Sequence, residues 1–445
     1  MSLARNLNKI LSLRSLAAQN RLFNLNNNLI NKSLLINSVQ KRYLSNEQEP
    51  KIEIKISQKA VPHFFRCSVN DPLKHNSVHL NKFYKVDEKD LKVIDPFQEC
   101  LTREHYAEFK AFNETALMIR QPAIEVIDYI KKLDLSLPAY RFVLYGNENG
   151  TGKRSTLLHL LHYCQKDNWL LIHLPNWSAV LRRSKESQPS TYKEGRLDTP
   201  IDAALFLKRF SVQNNKLLKE LNLKTTKKYN WSNRDSSPEG TPLLDLIEYA
   251  NTRIKYASDI CGAIIREIKF QTNSNKYKVF VAVDQVNSFF GPTRLKRADK
   301  SEIKVDDITI ARNFKKLLKN DWCNSVVVST IGSVGVILPA PDRRTKFYDT
   351  SISIQNRRRV PCSLHYEGPL TPAHLLKKEG FYYLEPFIPI EVPSYSDSEL
   401  LTHYEYYRDR NWLQSEDALT DDGREEIKFL SGNNPREFMR VCQTI

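Results

Sequence analysis

A glycine-rich segment with one lysine is the part of the sequence with the clearest chemistry. It follows the apolar run YRFVLY and has the sequence GNENGTGKRS. Glycines let consecutive backbone N–H groups point at a phosphate, and a lysine adds a mobile cation. Helical spacing follows, as a phosphate loop requires. We therefore predict contacts to a nucleotide from Gly146, Asn149, Gly150, Thr151, Gly152, Lys153, Arg154 and Ser155.

The loop departs from the common phosphate-loop pattern in two ways. From Gly146 to Gly152 it is one residue longer than the G-x-x-x-x-G spacing. Arg154 also follows the lysine directly, where the pattern has the Ser or Thr that ligates magnesium, and Ser155 comes one position later. The sequence therefore predicts retained nucleotide binding with weak hydrolysis at most, and no enzymatic role.

A carboxylate follows the later apolar run VFVAV. In a Walker-B-like strand, Asp284 would orient a magnesium-bound water, because ligands bind at the carboxyl ends of parallel strands. Ser155 and Asp284 are therefore the candidate magnesium ligands. The next residue is Gln285, where active ATPases have a glutamate that polarises water. Ser329 or Thr330, at the end of another apolar run, would take the sensor position.

A short motif near the C-terminus is the last candidate site. Residues 431–436 (SGNNPR) resemble the lid motif of AAA+ and STAND ATPases, whose arginine reaches back to the nucleotide. Arg436 is therefore a candidate ligand, although the same residues are also an ordinary Asn/Pro helix start. The sequence has no NKxD motif, which argues against a translation-factor type of GTPase. These residues alone leave GTP, GDP and ATP open.

The elements that must position these residues alternate along the chain. Apolar runs predict buried strands, and the stretches between them, such as 155–165 and 243–270, have helical spacing. The predicted strands are 140–145, 169–174, 278–283, 325–330 and 387–392. Such alternation is typical of a doubly wound parallel sheet. The predicted fold class is α/β, a P-loop NTPase core (AAA+/STAND-like) with an N-terminal extension and a small helical C-terminal lid.

Composition and charge bound the remaining possibilities. The chain is 41% hydrophobic and 27% charged, which suits a folded protein. Its seven cysteines form no CxxC pair, which argues against zinc-ribbon and thioredoxin-type sites. No uncharged apolar stretch approaches the ~20 residues that span a bilayer, so we expect no membrane association. The formal charge of +16 favours a polyanionic partner.

The first 44 residues have the composition of a mitochondrial transit peptide. They contain seven Lys and Arg but no Asp or Glu, and leucines recur among the cations. The sequence Arg42-Tyr43-Leu44-Ser45 resembles a matrix-peptidase site. Removal of the leader leaves 60 cations against 51 acids, or +9. We predict four regions: a transit peptide (1–44), an N-terminal extension (45–108), a P-loop core (109–395) and a helical lid (396–445).

Sequence blocks outside the phosphate loop resemble one family, the death-associated protein three family of mitochondrial small-ribosomal-subunit proteins. The resemblance covers about residues 109–445. It is carried, in chain order, by MIRQPAIEVIDYIKKL (118–133), LYGNENGTGK (144–153), DNWLLIHLP (167–175), KYNWSNRDSSPEGTPL (228–243), AVDQVNSFFGPTRLKRADKS (282–301), KNDW (319–322), KKEGF (377–381), LEPFIPIEVPSY (384–395) and NWLQ (411–414).

The resemblance implies a component of the small-subunit head that holds GTP or GDP and supports mitochondrial translation. It implies small-subunit proteins and rRNA as neighbours, and large-subunit proteins across an intersubunit bridge. Family members have Thr directly after the phosphate-loop lysine, so Arg154 departs from the family as well, and magnesium binding is in question. Candidate rRNA contacts are Arg294, Lys296, Arg297, Lys300, Arg343, Arg344, Arg357, Arg358 and Arg359, although charged solvated loops explain them equally well.

Two other function classes compete with a structural ribosomal protein. An ATP-driven mitochondrial AAA+ machine would need a Walker-B glutamate, and Gln285 and Arg154 argue against it. A signalling NTPase switch would need a partner domain, for which a chain of 445 residues has little room. The expected function is therefore a ribosomal protein with a largely structural nucleotide.

Overall fold

The computed structural model describes residues 64–274, 277–297, 299–336 and 370–444. The predicted transit peptide and the basic residues between Arg343 and Arg359 lie outside this part of the chain. The strands, in chain order, are β1 (Phe83–Lys85), β2 (Ala116–Met118), β3 (Tyr140–Tyr145), β4 (Leu170–Leu174), β5 (Gln188–Pro189), β6 (Leu197–Asp198), β7 (Tyr229–Asn230), β8 (Ser236–Ser237), β9 (Val279–Val283), β10 (Ser325–Thr330) and β11 (Ile388–Glu391).

The α-helices of the described residues follow the same alternation with strands that the sequence predicts. In chain order they are α1 (Glu88–Ile94), α2 (Arg103–Phe112), α3 (Gln121–Lys132), α4 (Lys153–Lys166), α5 (Trp177–Arg182), α6 (Pro200–Leu221), α7 (Leu243–Thr252), α8 (Ala257–Thr272), α9 (Thr309–Leu317), α10 (Pro372–Leu384), α11 (Asp397–Asp409), α12 (Asp421–Ser431) and α13 (Pro435–Cys442).

Five strands form one parallel sheet, in the order β11–β3–β10–β9–β4. This confirms the predicted α/β class with a parallel sheet. Val283 of β9 pairs with Ser329 of β10, and Thr330 pairs with Leu144 of β3. Because the strands end level with one another, the residues that follow β3, β9 and β10 share one edge of the sheet.

Helices cover both faces of the sheet, which explains why its strands are continuous apolar runs. Alternate residues of a strand point to opposite layers: Val279, Val281 and Val283 pack on one side, and Phe280 and Ala282 on the other. Helices α6 to α9 supply buried side chains to the first layer, and α1, α3 and α4 supply them to the second. The core therefore lies in two layers around a buried sheet.

The described part of the N-terminal extension packs onto the second layer. The side chains of Tyr84 and Ile94 are fully buried there. Strand β1 pairs antiparallel with β2. Helix α3 begins three positions after the end of β2, at Gln121, with Pro122 in its first turn, where proline is tolerated.

One helix prediction is corrected in the first layer. The helix predicted over 243–270 is two helices, α7 and α8, separated by a 3-10 turn at Ile254–Tyr256. Two polar segments, 184–200 and 225–242, each contain a two-stranded hairpin: β5 pairs with β6 and β7 with β8.

Helices α11 to α13 form the C-terminal bundle that the sequence predicts as a lid. Their own small core includes Leu400, Tyr407 and Phe438, together with Phe65 and Phe83 of the N-terminal extension. No helix within the described ranges is long and apolar enough to cross a membrane.

Candidate phosphate-binding site

The loop after β3 has the backbone shape that a phosphate loop needs. Gly150 and Gly152 have φ of +94° and +97°, a conformation that side chains disfavour. A Cβ on Gly146 would lie 2.7 Å from Thr151 Oγ1. Helix α4 begins directly after Gly152, at Lys153. The free N–H groups of its first turn therefore face the loop, as an anion site requires.

Lys153 folds back over this loop. Its Nζ donates to the carbonyl oxygen of Glu148 at 2.9 Å and lies 3.3 Å from Thr151 Oγ1. Burial lowers the pKa of Lys153 to about 8, against an opposing effect of the Asp284 carboxylate. An anion beside this ammonium would favour its charged form. The lysine is therefore placed for a phosphate oxygen, although the Glu148 carbonyl oxygen and the Thr151 hydroxyl accept its hydrogen bonds here.

Arg154 and Asp284 form an ion pair at the same strand edge. Arg154 Nε and Nη2 lie 2.9 and 2.7 Å from Asp284 Oδ2. Thr330 donates its hydroxyl to Asp284 Oδ1 at 2.6 Å, and the Gln285 backbone N–H donates to Thr330 Oγ1 at 2.9 Å. Burial lowers the pKa of Arg154, but the Asp284 carboxylate outweighs it and the net direction is upward. Both carboxylate oxygens of Asp284 thus have protein donors.

Gln285 faces away from this pair. Its side-chain oxygen accepts a hydrogen bond from the Ser178 hydroxyl of α5. The residue has a left-handed backbone, with φ of +59°, which turns the chain directly after β9. The side-chain amide of Gln285 is thus held beside α5, in the first layer of helices.

The lid meets the phosphate loop through the start of α13. Asn434 Nδ2 donates to the carbonyl oxygen of Asn149 at 2.8 Å and to Glu148 Oε2 at 3.0 Å. Its Oδ1 caps the helix by accepting from the Arg436 N–H at 3.1 Å. A Cβ on Gly150 would lie 2.6 Å from Arg436 Cβ, so the close approach of lid and loop requires glycine there.

Arg120 is a buried link between lid and loop that sequence reasoning missed. Its Nη1 donates to the Thr151 carbonyl oxygen at 2.6 Å, and its Nε donates to Glu399 Oε1 of α11 at 2.7 Å. The guanidinium also lies over the Tyr395 ring, 5.0 Å from the centroid. Its position directly before Gln121-Pro122, inside a block that carries the family resemblance, was the available signal.

These residues surround a cavity of about 610 Å³ between the sheet edge, α2 and the lid. All of the residues predicted to bind nucleotide or magnesium line it except Gly146. A side chain at Gly146 would instead meet Thr151 and Lys153 of the loop. Six cations line the cavity against two carboxylates, an excess of four positive charges, which favours an anionic ligand. The cations are Arg120, Lys153, Arg154, Arg182, Arg183 and Arg436; the carboxylates are Glu108 and Asp284.

Part of the cavity lining is aromatic. Phe109, Tyr395, Tyr406 and Tyr407 line the cavity together with Glu108. Tyr407 donates its hydroxyl to Glu108 Oε1 at 2.7 Å. Burial raises the pKa of Glu108 to about 7, against the opposing effect of that hydrogen bond. The cavity lining thus combines cationic side chains, which suit phosphates, with aromatic side chains, which suit a base.

A metal fits this site less well than a phosphate does. The glycine cradle, the α4 N-terminus and Lys153 match the needs of a phosphate. The predicted magnesium ligand Asp284 is instead paired with Arg154 and Thr330, and Ser155 lies at the cavity wall. The described ranges contain no group of three or more His, Cys, Asp or Glu side chains that could hold a metal ion.

Comparison with known proteins decides the family. The family model described as "Mitochondrial ribosomal death-associated protein 3" matches residues 117–441. The chain belongs to this family. It is 34% identical over 380 residues to "Small ribosomal subunit protein mS29" of Mus musculus, covering 85% of this chain and 89% of the relative. It is 36% identical over 377 residues to the Bos taurus protein of the same name, covering 85% and 87%.

The match to the death-associated protein 3 family includes the phosphate-loop part of the candidate site. Arg120, the phosphate loop, Asp284 and Arg436 all fall within residues 117–441, whereas Glu108 and Phe109 precede them. The family confirms the resemblance found in the sequence and the mitochondrial location predicted for the chain.

Proposed function

We propose that this chain is a structural component of the mitochondrial small ribosomal subunit that holds a guanine nucleotide as a largely structural cofactor. Two relatives that match most of the chain are named small ribosomal subunit proteins. The observation that carries the nucleotide part is the lid, because Asn434 and Arg120 hydrogen-bond directly to carbonyl oxygens of the phosphate loop. A ligand on that loop would therefore stabilise the loop together with the lid and the start of α3, to which Asn434 and Arg120 connect it.

The phosphates would bind at the phosphate loop, beside the cationic side chains of the cavity. Gly150 and Gly152 present the loop backbone, and α4 presents its N-terminus. Lys153 Nζ would exchange its hydrogen bonds to the loop for bonds to a phosphate oxygen. A ligand that binds only the folded state stabilises it by about 2.7 kcal/mol at a concentration one hundred times its Kd. That is enough to act as a structural cofactor in a protein of ordinary stability.

The base would bind beside the aromatic side chains of the cavity lining. A guanine ring presents two neighbouring N–H donors on one edge, and a carboxylate with two oxygens accepts both, whereas adenine presents an acceptor at the matching position. Glu108 is a carboxylate of the cavity lining. The half-buried Phe109, next to it in the chain, also lines the cavity and offers a ring for stacking. This combination supports GTP or GDP over ATP.

Efficient hydrolysis has little support in this geometry. Gln285 stands where active ATPases have a glutamate, and its side chain is bonded to Ser178. Asp284 is paired with Arg154 rather than presented to a magnesium ion. Both observations argue against the alternative of an AAA+-type ATPase. We propose that any hydrolysis is slow and that the nucleotide serves the fold.

The ribosomal partners in this proposal are small-subunit proteins and rRNA in the head, with large-subunit proteins across a bridge. Lys296 and Lys300 are exposed and suit contacts with rRNA phosphates. Arg297 is less available, because its guanidinium donates to Asp307 at 3.1 Å and to the Gly195 carbonyl oxygen.

One preparation tests both halves of the proposal. Tagged protein is isolated from lysed mitochondria on a density gradient, and its bound nucleotide is released by denaturation and identified by chromatography. We expect the protein to sediment with small-subunit rRNA and to carry guanine nucleotide in near-equal amount. Protein found only in light fractions, while small subunits assemble normally without it, would refute the ribosomal role. A ribosome-bound protein that releases adenine nucleotide, or none, would refute the guanine cofactor alone.

A further inference from the structure

Arg154 has an unusual place for a charged side chain. It is the second residue of α4, directly after the phosphate-loop lysine. Phosphate loops commonly have a hydroxyl residue there, which holds magnesium together with the carboxylate after the Walker-B strand. In this chain the guanidinium occupies the space between loop and carboxylate, with Nε and Nη2 at 2.9 and 2.7 Å from Asp284 Oδ2.

A magnesium ion would have to break this arrangement. Asp284 is only 4% exposed, and Thr330 donates to its second oxygen at 2.6 Å. A buried carboxylate that has lost its partner is costly, and a guanidinium beside a divalent cation is repelled by it. Magnesium also requires near-octahedral oxygen ligands and keeps several waters. A bound arginine in the middle of the site provides neither.

We propose that this chain binds its nucleotide without magnesium, and that the Arg154 guanidinium takes the place of the metal between Asp284 and the phosphates. The inference rests on the proposed nucleotide binding and specifies its form: a metal-free nucleoside di- or triphosphate.

The geometry leaves Arg154 able to reach a phosphate. A guanidinium carries five N–H groups in a planar fork, and Asp284 takes one on Nε and one on Nη2. The remaining N–H groups suit a pair of phosphate oxygens, which arginine binds in bidentate fashion. The side chain lines the cavity and is 27% exposed, so the guanidinium meets the ligand space rather than the core.

The charge of the cavity agrees with this role. Six lining cations against two carboxylates leave an excess of four positive charges. Side chains would therefore neutralise the charge of a phosphate chain in this cavity, as a divalent cation does in other phosphate loops. Arg154 is the member of the set that sits where the metal would be.

Binding of fluorescent mant-GDP to the purified, nucleotide-stripped mature chain tests the inference. We expect the Kd of the wild type in EDTA and in excess magnesium to agree within about twofold. Arg154→Thr restores a hydroxyl, and it should weaken binding in EDTA about tenfold or more and recover on addition of magnesium. Arg424→Thr is the matched control: it removes an arginine that pairs with the exposed Asp421, outside the cavity lining, and should leave the Kd unchanged in EDTA and in magnesium.

A second readout detects the metal ion directly. Mn²⁺ replaces magnesium in phosphate loops and is visible by electron paramagnetic resonance. We expect no mant-GDP-dependent Mn²⁺ binding by the wild type, and stoichiometric binding by Arg154→Thr if that variant keeps its melting transition. Wild-type binding that strengthens tenfold with magnesium, or a wild-type Mn²⁺ signal, would overturn the inference and leave nucleotide binding standing. Failure to bind mant-GDP under either condition would refute the proposed function and this inference together.

Discussion

Helix α4 contacts its surroundings differently at its start and along its middle. At its start, Lys153 and Arg154 meet carboxylates and carbonyl groups beside a cavity. In its middle, His159 and His162 are buried against the N-terminal extension: His159 Nε2 lies 2.9 Å from His75 Nδ1, and His162 Nδ1 lies 3.3 Å from the Tyr84 hydroxyl.

The comparison separates residues that suit ligand binding from residues that hold the extension on the core. Around the start of α4, cations outnumber carboxylates and the backbone relies on glycines with positive φ. Around its middle, burial lowers the pKa of His159 and of His162, so that both stay neutral at pH 7. An excess of charge is tolerated only where a ligand is expected, whereas neutral polar pairs serve to hold the extension on the core.

The largest effect is expected from breaking the link between lid and loop. Arg120→Ala leaves Glu399 buried without its partner, so we expect the free energy of unfolding to fall by about 3–5 kcal/mol. Denaturant unfolding of the purified protein measures it. Lys92→Ala, which breaks an exposed ion pair with Glu88, is the control and should cost less than about 0.5 kcal/mol. Equal losses in the two variants would contradict the role given to Arg120.

The next effect concerns the ligand itself. Lys153→Ala should abolish the rise in melting temperature that GDP gives the wild type, worth about 2.7 kcal/mol at one hundred times Kd. The ligand-free variant should be no less stable than the wild type, because burial already disfavours the lysine's charge and lowers its pKa to about 8. Differential scanning fluorimetry with and without GDP separates the two. A full GDP shift in the variant would show that the phosphates bind elsewhere.

Acid should lower the free energy of unfolding through buried histidines of α4 and of the lid. Burial lowers the pKa of His162 to about 4 and that of His403 in the lid to about 3, below the ordinary 6.5. The unfolded chain therefore takes up protons first, and stability falls as the pH drops from about 6.5 towards 4, by up to about 1.4 kcal/mol per unit for each histidine. Melting temperature against pH tests this. The double variant His162→Leu, His403→Leu should flatten the slope, and an unchanged slope would assign the acid response to other groups.

The smallest effect is expected from adding the missing glutamate. Gln285→Glu should leave steady-state GTP hydrolysis near the background rate, because Arg154 still pairs with Asp284. Phosphate release by the wild type, Gln285→Glu and the double variant with Arg154→Thr makes the comparison. Multiple turnovers per second in the wild type would refute a structural nucleotide and favour the ATPase alternative.

The sequence predicts the parts of this structure that depend on local pattern. Strands β3 and β10 agree with the predicted 140–145 and 325–330, because a strand buried on both faces is apolar at most of its positions. Loop shape was also predictable, since Gly150 and Gly152 are needed for positive φ.

What the sequence did not predict depends on partners far along the chain. Arg120 resembles a surface residue before a helix until Glu399, 279 positions later, is folded beside it. Arg154 and Asp284 were both candidates, but their pairing is a tertiary fact that spans 130 positions. The break between α7 and α8 has no proline or glycine to announce it, and packing decides it.

The contact of Asn434 with the phosphate loop has a consequence for biosynthesis. A chain made from its N-terminus completes the loop at Ser155 long before it reaches Asn434. Until then the carbonyl oxygen of Asn149 lacks its lid donor, and Arg436 is absent from the cavity. A premature stop codon between Glu391, where β11 ends, and Asn434 would leave the residues of all five sheet strands but remove the lid donor to the loop. Under the proposed function, retention of the nucleotide would then require a chain translated past Asn434.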